Sequence, residues 1–130
     1  MFEKKIVGLV EPVTLIGEKK IDILAKFDTG AQRTSIDKKV FDELGLEKIG
    51  RVKTTNVHGN TIRILTELEM IIKGKKFMIE SNVADRSKRK FKVLIGRNTI
   101  FNNFVVDITK SHNSPKIGDL NESLRNWGKN

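Results

Sequence analysis

Asp28-Thr29-Gly30-Ala31 is the stretch on which the reading of this chain turns, because it directly follows an apolar segment, residues 21–27, that ends in Phe27. In that segment Ile21, Ile23 and Ala25 share one face, with Leu24 offset, which is the period of a β-strand. A carboxylate at the end of a strand, followed by Thr and Gly, sits in a tight turn. Gly30 lets a second backbone come close, and the Thr29 hydroxyl can donate and accept across such an approach. The tetrapeptide alone is also a common loop sequence, so its meaning depends on its surroundings.

Those surroundings read as short strands with few helices. Residues 6–10 form an apolar run around Gly8, which Glu11-Pro12 is expected to break. Residues 13–16 then lead into a turn at Gly17-Glu18-Lys19-Lys20. Asp37 is placed to N-cap a helix over residues 37–44, in which Val40, Phe41 and Leu44 share a face and Gly45 follows as the C′ residue. Residues 52–56 and 61–64 form a hairpin around His58-Gly59-Asn60. Residues 66–72 and 75–84 form a second hairpin around Gly74, with Leu68, Met70 and Ile72 alternating on its first arm. A basic run, Arg86 with Lys88, Arg89 and Lys90, reads as a solvated loop; facing a cleft, it would instead suit acidic peptides through charge-assisted contacts. Residues 93–95 are a short buried strand, Gly96-Arg97-Asn98 opens a helical turn with Ile100 and Phe101, and residues 104–106 are a further strand. The expected organisation is one domain over residues 1–109 and a polar, mobile tail over 110–130, where Leu120, Leu124 and Trp127 hint at a helix.

Composition narrows the function classes. The chain has 130 residues, enough for one domain with its own core, and is 38% hydrophobic and 32% charged. It has no cysteine, which excludes disulfides, thiolate catalysis and cysteine-zinc sites and fits a reducing cytoplasm. No apolar run reaches the length of a membrane span, and the first residues show no signal-peptide core, so a cytoplasmic location without membrane contact is expected. Twenty-five Lys and Arg against sixteen Asp and Glu leave a net charge of +9, which suits an anionic partner. Nucleic acid is one such partner but is not favoured. Seven Phe, one Trp and no Tyr leave few stacking platforms, and most of the Phe fall at expected core positions.

The order of the blocks carries a resemblance. Asp28 to Ala31 at a strand end, a flap-like hairpin near residues 54–64, and Leu94-Ile95-Gly96-Arg97-Asn98 at a strand-to-helix junction resemble the retropepsins, the single-domain aspartic peptidases, over residues 6–108. Within that fold, Ala25-Lys26-Phe27-Asp28-Thr29-Gly30-Ala31, Arg33-Thr34-Ser35, Ala84-Asp85-Arg86-Ser87, Val93-Leu94-Ile95-Gly96-Arg97 and Phe104-Val105-Val106-Asp107 look like the family labelled "ATP-dependent zinc protease". Some of its members are associated with ATP-grasp ligases that add glutamates to a ribosomal protein. The resemblance implies a mainly β fold: a small closed retropepsin-like (acid-protease) β-barrel with one short helix and a helical turn.

It also implies an activity. An aspartic peptidase needs two close carboxylates that share a proton, so one Asp-Thr-Gly per chain implies a symmetric homodimer with Asp28 of each subunit at the two-fold axis. Asp28, Thr29 and Gly30 are the expected catalytic residues. Ala31, Arg33, His58, Gly59 and Asn60 are expected to meet a peptide or protein substrate, including acidic, glutamate-rich ones. Gly96 and Arg97 are expected to support the site, Arg97 by a salt bridge to the catalytic loop in preference to substrate contact. No cofactor is expected: the sequence has only His58 and His112, no His-Glu-x-x-His and no cysteine for zinc, and no phosphate-binding Gly-x-x-x-x-Gly-Lys-Ser/Thr loop for ATP. A non-catalytic retropepsin-fold binding module for a protein or anionic partner remains the second reading.

Overall fold

Alternating burial builds most of this molecule. The computed structural model describes residues 3–110. In chain order they form β1 (Lys5–Val7), β2 (Val10–Ile16), β3 (Lys20–Phe27), β4 (Thr34–Asp37), α1 (Lys38–Glu43), β5 (Gly50–Asn56), β6 (Gly59–Ile72), β7 (Lys75–Ala84), β8 (Val93–Ile95), α2 (Arg97–Ile100) and β9 (Phe104–Val106), then a 3₁₀ turn at Ile108–Lys110. The fold is mainly β, as the sequence led us to expect. The expected tail and its helix, with His112, lie outside the described residues.

Six strands close into a barrel in the order β2-β3-β8-β4-β7-β6, and β6 returns to β2 through Val13–Ile16 against Ile72 back to Glu69. Closure removes the open edges that would otherwise invite pairing with other chains. β5 pairs with the first half of β6 outside this ring, so the β5–β6 hairpin stands apart from the barrel. β1 and β9 make a separate two-stranded parallel sheet.

Along β2, Glu11, Val13 and Leu15 point inward while Pro12 and Thr14 do not, the period-two pattern of a half-buried strand. β8 is different. It lies between β3, to which it is parallel, and β4, and all three of its residues are buried, so it reads as a continuous apolar run. The core gathers Val13, Leu15, Phe27, Ile36, Met70 and Ile95 among others. Phe104 meets Phe27 edge-on at 5.7 Å between ring centroids and Phe77 at 5.4 Å. These contacts tie the small β1–β9 sheet to the barrel.

Three expectations are corrected. Glu11-Pro12 does not break the first apolar run, because both lie within β2. The Phe27 N–H donates to the Leu9 carbonyl, so odd-numbered residues of β2 are those bonded to β3. The Pro12 nitrogen therefore faces the other way, where the ladder to β6 starts only at Val13, and its missing N–H costs no bond. The Glu11 carboxylate is buried but accepts from Gly8 N–H at 2.8 Å and pairs with Lys73 at 3.2 Å. Second, residues 59–72 are one fourteen-residue strand rather than two. Third, β4 was not expected, since Thr-Ser-Ile-Asp has neither length nor apolar period; it forms because β7 and β8 pair with it on both sides.

The helix expectation holds. Asp37 caps α1 by accepting from Lys39 N–H at 3.3 Å, and Leu44 is its C-cap. The β6–β7 turn is Lys73-Gly74, both with positive φ (52° and 77°), the geometry that two-residue hairpins favour. Phe104→Ala removes the aromatic contacts that join the β1–β9 sheet to the core. We expect it to lower the unfolding free energy by about 3 kcal/mol or more, read as a shift of the urea midpoint.

Candidate functional site

Asp28 is the first residue after β3, and its place is set by backbone bonds. Its N–H donates to the Ile95 carbonyl at 2.8 Å, which carries the β3–β8 ladder one step further. Its carbonyl accepts from Ala31 N–H at 3.1 Å and its Oδ1 accepts from Gly30 N–H at 2.9 Å, so residues 28–31 form a tight turn closed by both main chain and side chain. The carboxylate is half-buried, and Thr29 and Gly30 are exposed.

The strand-to-helix junction at Gly96 and α2 holds this turn. The Arg97 N–H donates to the Ala31 carbonyl at 2.8 Å, and Arg97 Nη1 donates to the carbonyls of Thr29 at 3.1 Å and Gly30 at 3.2 Å. The contact is made through carbonyl oxygens, not through the salt bridge expected from the sequence. Thr34 adds a buried hub: its Oγ1 accepts from Gly96 N–H at 3.1 Å and lies 3.0 Å from Asn98 Oδ1 and 2.9 Å from Thr99 Oγ1. Asn98 Oδ1 also accepts from Thr34 N–H, and Asn98 Nδ2 donates to the Glu80 carbonyl. A Cβ on Gly96 would lie 2.4 Å from both the carbonyl carbon and the oxygen of Arg33, so this packing requires glycine.

The structure thus brings Asp28, Thr29, Gly30, Ala31, Gly96 and Arg97 together. Arg33 is drawn to β7, where Nη1 lies 2.6 Å from Glu80 Oε1. His58, Gly59 and Asn60 are exposed at the end of the β5–β6 hairpin, with Val57 and His58 as its turn and Asn60 Oδ1 accepting from Thr55 Oγ1. Among the described residues, no three His, Cys, Asp or Glu side chains are grouped to hold a metal ion. No helix among them is long and apolar enough to cross a membrane.

Two buried cations lie near Asp28: Lys26, which was not singled out from the sequence, and Arg86, which was read there as part of a solvated basic run. Lys26 is 3% exposed and Arg86 is 6% exposed. Burial pushes the Lys26 ammonium below the usual lysine range, Asp28 pulls it back up, and Arg86 pushes it further down. Burial likewise lowers Arg86, with Arg89 and Arg63 acting in the same direction and Asp37 and Asp28 against it. The basic run is therefore not wholly solvated: its first member turns inward while Lys88, Arg89 and Lys90 stay exposed. The available signal for Lys26 was its position two residues before Asp28 in a strand that leads straight into it, hence on the same face.

No protein-family model matches the chain, and no curated protein matches it. Among solved structures it is similar to a protein of unknown function (DUF785) from Legionella pneumophila. That likeness has a TM-score of 0.65 and 22% identity, over 87% of this chain and 100% of that one. It is similar to the EIAV protease solved with the inhibitor HBY-793, with a TM-score of 0.54 and 18% identity over 70% of this chain and 83% of that one. It is also similar to the retroviral protease-like domain of Ddi1 from Leishmania major, with a TM-score of 0.51 and 17% identity over 74% and 77% of the two chains.

The fold is retropepsin-like.

At these identities the likeness carries the fold and not the narrower zinc-protease resemblance. Within the retropepsin-like frame the Asp28 turn sits at the end of a barrel strand and rests on the Gly96 junction. Gly96→Ala must push apart two backbones that already touch. We expect it to destabilise the protein by about 1–3 kcal/mol, measured by chemical denaturation.

Proposed function

We propose that this chain is an aspartic-type peptidase that acts as a homodimer. The observation that carries the reading is the Asp28 turn itself, a half-buried carboxylate at a strand end, held through three carbonyls by Arg97 in a retropepsin-like barrel. One chain supplies one such carboxylate. Two-fold pairing of two chains would set Asp28 beside its symmetry mate, where like charges share one proton. Thr29 and Gly30, exposed beside it, are the residues through which the two turns would meet.

The chemistry follows from that pair. The ionised carboxylate takes a proton from water as the water oxygen bonds to the scissile carbonyl carbon. The protonated carboxyl gives its proton to the carbonyl oxygen. The tetrahedral intermediate then loses its amine as the C–N bond breaks, and the nitrogen leaves with a proton returned by the pair. The two carboxylates titrate as a unit. Ala31 and Arg33 beside the turn, with His58, Gly59 and Asn60 on the hairpin, are the groups we assign to the bound peptide. The narrower relation to the "ATP-dependent zinc protease" family rests on the sequence blocks alone. The cysteine-free chain, at +9, suits cytoplasmic work on acidic peptides.

A non-catalytic binding module is the second reading, favoured by the lone carboxylate of a single chain. Light scattering over a concentration series and a peptide-cleavage screen with Asp28→Asn separate the two. The peptidase reading expects dimers in the micromolar range and cleavage lowered by about 100-fold or more in Asp28→Asn, with the circular dichroism spectrum unchanged. Unchanged turnover in that variant overturns Asp28 as the catalytic group. A monomer at every concentration, with no cleavage, leaves the binding module.

A further inference from the structure

The sheet carrying Asp28 has two buried faces of opposite character. Across it, Lys26 on β3 is in register with Leu94 on β8, Leu94 with Ser35 on β4, and Ser35 with Asn82 on β7. The neighbouring row, Ala25, Val93, Ile36 and Val83, belongs to the hydrophobic core. Side chains alternate along a strand, so Lys26, Leu94, Ser35 and Asn82 face away from that core, and Asp28, two residues after Lys26, faces with them. Leu94 agrees: it is buried but is not part of the core cluster.

This second face is nearly as dry as the core, yet it is polar and cationic. The loop after β7 folds over it. The Arg86 N–H donates to Asp37 Oδ1, on β4 two residues after Ser35, and Arg86 Nε donates to the Phe91 carbonyl at 2.9 Å. The Lys92 ammonium holds the loop in shape by donating to the carbonyls of Arg86, Ser87 and Arg89. Arg63 on β6 reaches in from the hairpin side, with Nη1 3.4 Å from Asn82 Oδ1. Two buried polar atoms on this face have no hydrogen-bond partner, Arg86 Nη2 and Ser35 Oγ. An unpaired buried donor such as Arg86 Nη2 is costly unless an acceptor meets it. The Asp37 carboxylate is already committed to two backbone N–H groups, those of Arg86 and Lys39. Asp28 and Arg63, at the margin of the cluster, are half-buried rather than buried.

We propose that Arg86, with Lys26 and Arg63, forms a specificity pocket for the carboxylate of an aspartate or glutamate side chain next to the bond that is cut. The assignment rests on the peptidase reading for its position beside the scissile bond. A planar carboxylate presents two oxygens to a guanidinium edge, which suits the buried, unpartnered Arg86 Nη2. Ser35 Oγ lies on the same face as a further donor. The pocket would sit on the Asp28 side of the sheet, so it would act on the residue held nearest to the reacting carbonyl.

The test uses the full chain and paired peptides, one with Glu at the positions flanking the cleavage site and its twin with Gln. Cleavage is measured for the wild-type protein, and fluorescence anisotropy of the labelled peptides is measured with Asp28→Asn. We expect the Glu peptide to be cleaved and bound better by about tenfold or more. Arg86→Gln is expected to bring the ratio of Glu to Gln peptide, in both cleavage and binding, to near one, and Lys26→Met is expected to lower that ratio likewise should Arg86→Gln fail to fold. Lys88→Gln removes the same charge from the exposed part of the loop and is expected to keep the preference, which separates a pocket from general attraction by a basic protein. Equal handling of Glu and Gln peptides, or a preference that survives both pocket variants, overturns the proposal. Tighter binding of the Glu peptide without cleavage by the wild-type protein upholds the pocket and overturns the peptidase reading.

Discussion

The Asp28 turn depends on how closely the backbone at Gly96 lies against the backbone at Arg33. There is no room for a Cβ between them. That approach lets Thr34 Oγ1 accept from the Gly96 amide and brings the Arg97 amide to the Ala31 carbonyl. It also carries the Arg97 guanidinium to the carbonyls of Thr29 and Gly30. Each of these bonds is short in range, and together they fix a loop that has no regular structure of its own. The Asp28 carboxylate is thus held by the main chain of its own turn, while the network behind it gives the turn its rigidity.

The barrel places this network where it can act. β3 and β8 run parallel and end together, so Asp28 and Gly96 leave the sheet side by side. β4 pairs with β8 on the other side and delivers Thr34 to the junction. Ring closure through β2 and β6 anchors the opposite wall and leaves the β5–β6 hairpin outside it. β6 also carries the hairpin into the ring, and the segment before β5 is bonded to it where Thr66 Oγ1 donates to the Glu47 carbonyl.

Charge is used unevenly over the molecule. Most of the lysines and arginines are exposed, and pairs such as Lys19–Glu43 and Lys38–Asp42 are surface contacts of small energetic weight. Lys26 and Arg86 are the contrast: both are buried, both are pushed toward their neutral forms, and both lie within electrostatic reach of Asp28.

Much of the site was legible in the residues. Asp28-Thr29-Gly30 after an apolar run marked the turn, Asp37 and Gly45 marked the ends of α1, and the Gly-tipped segments marked the hairpins, because turns and caps are chosen by local backbone chemistry. β4 was not legible, because four mixed residues become a strand only when two neighbours bond to them. Pro12 was misleading for the related reason that its cost depends on which side of the strand lacks a partner. Arg86 and Lys88 are near neighbours in one basic run, and nothing in that run tells which is buried. The sequence by itself determined the Asp28 turn, the caps and the alternation of the long strands, all set within a few residues. Only the tertiary structure decided barrel closure, the Gly96 contact and the burial of Lys26 and Arg86, because burial depends on what the rest of the chain packs against each side chain.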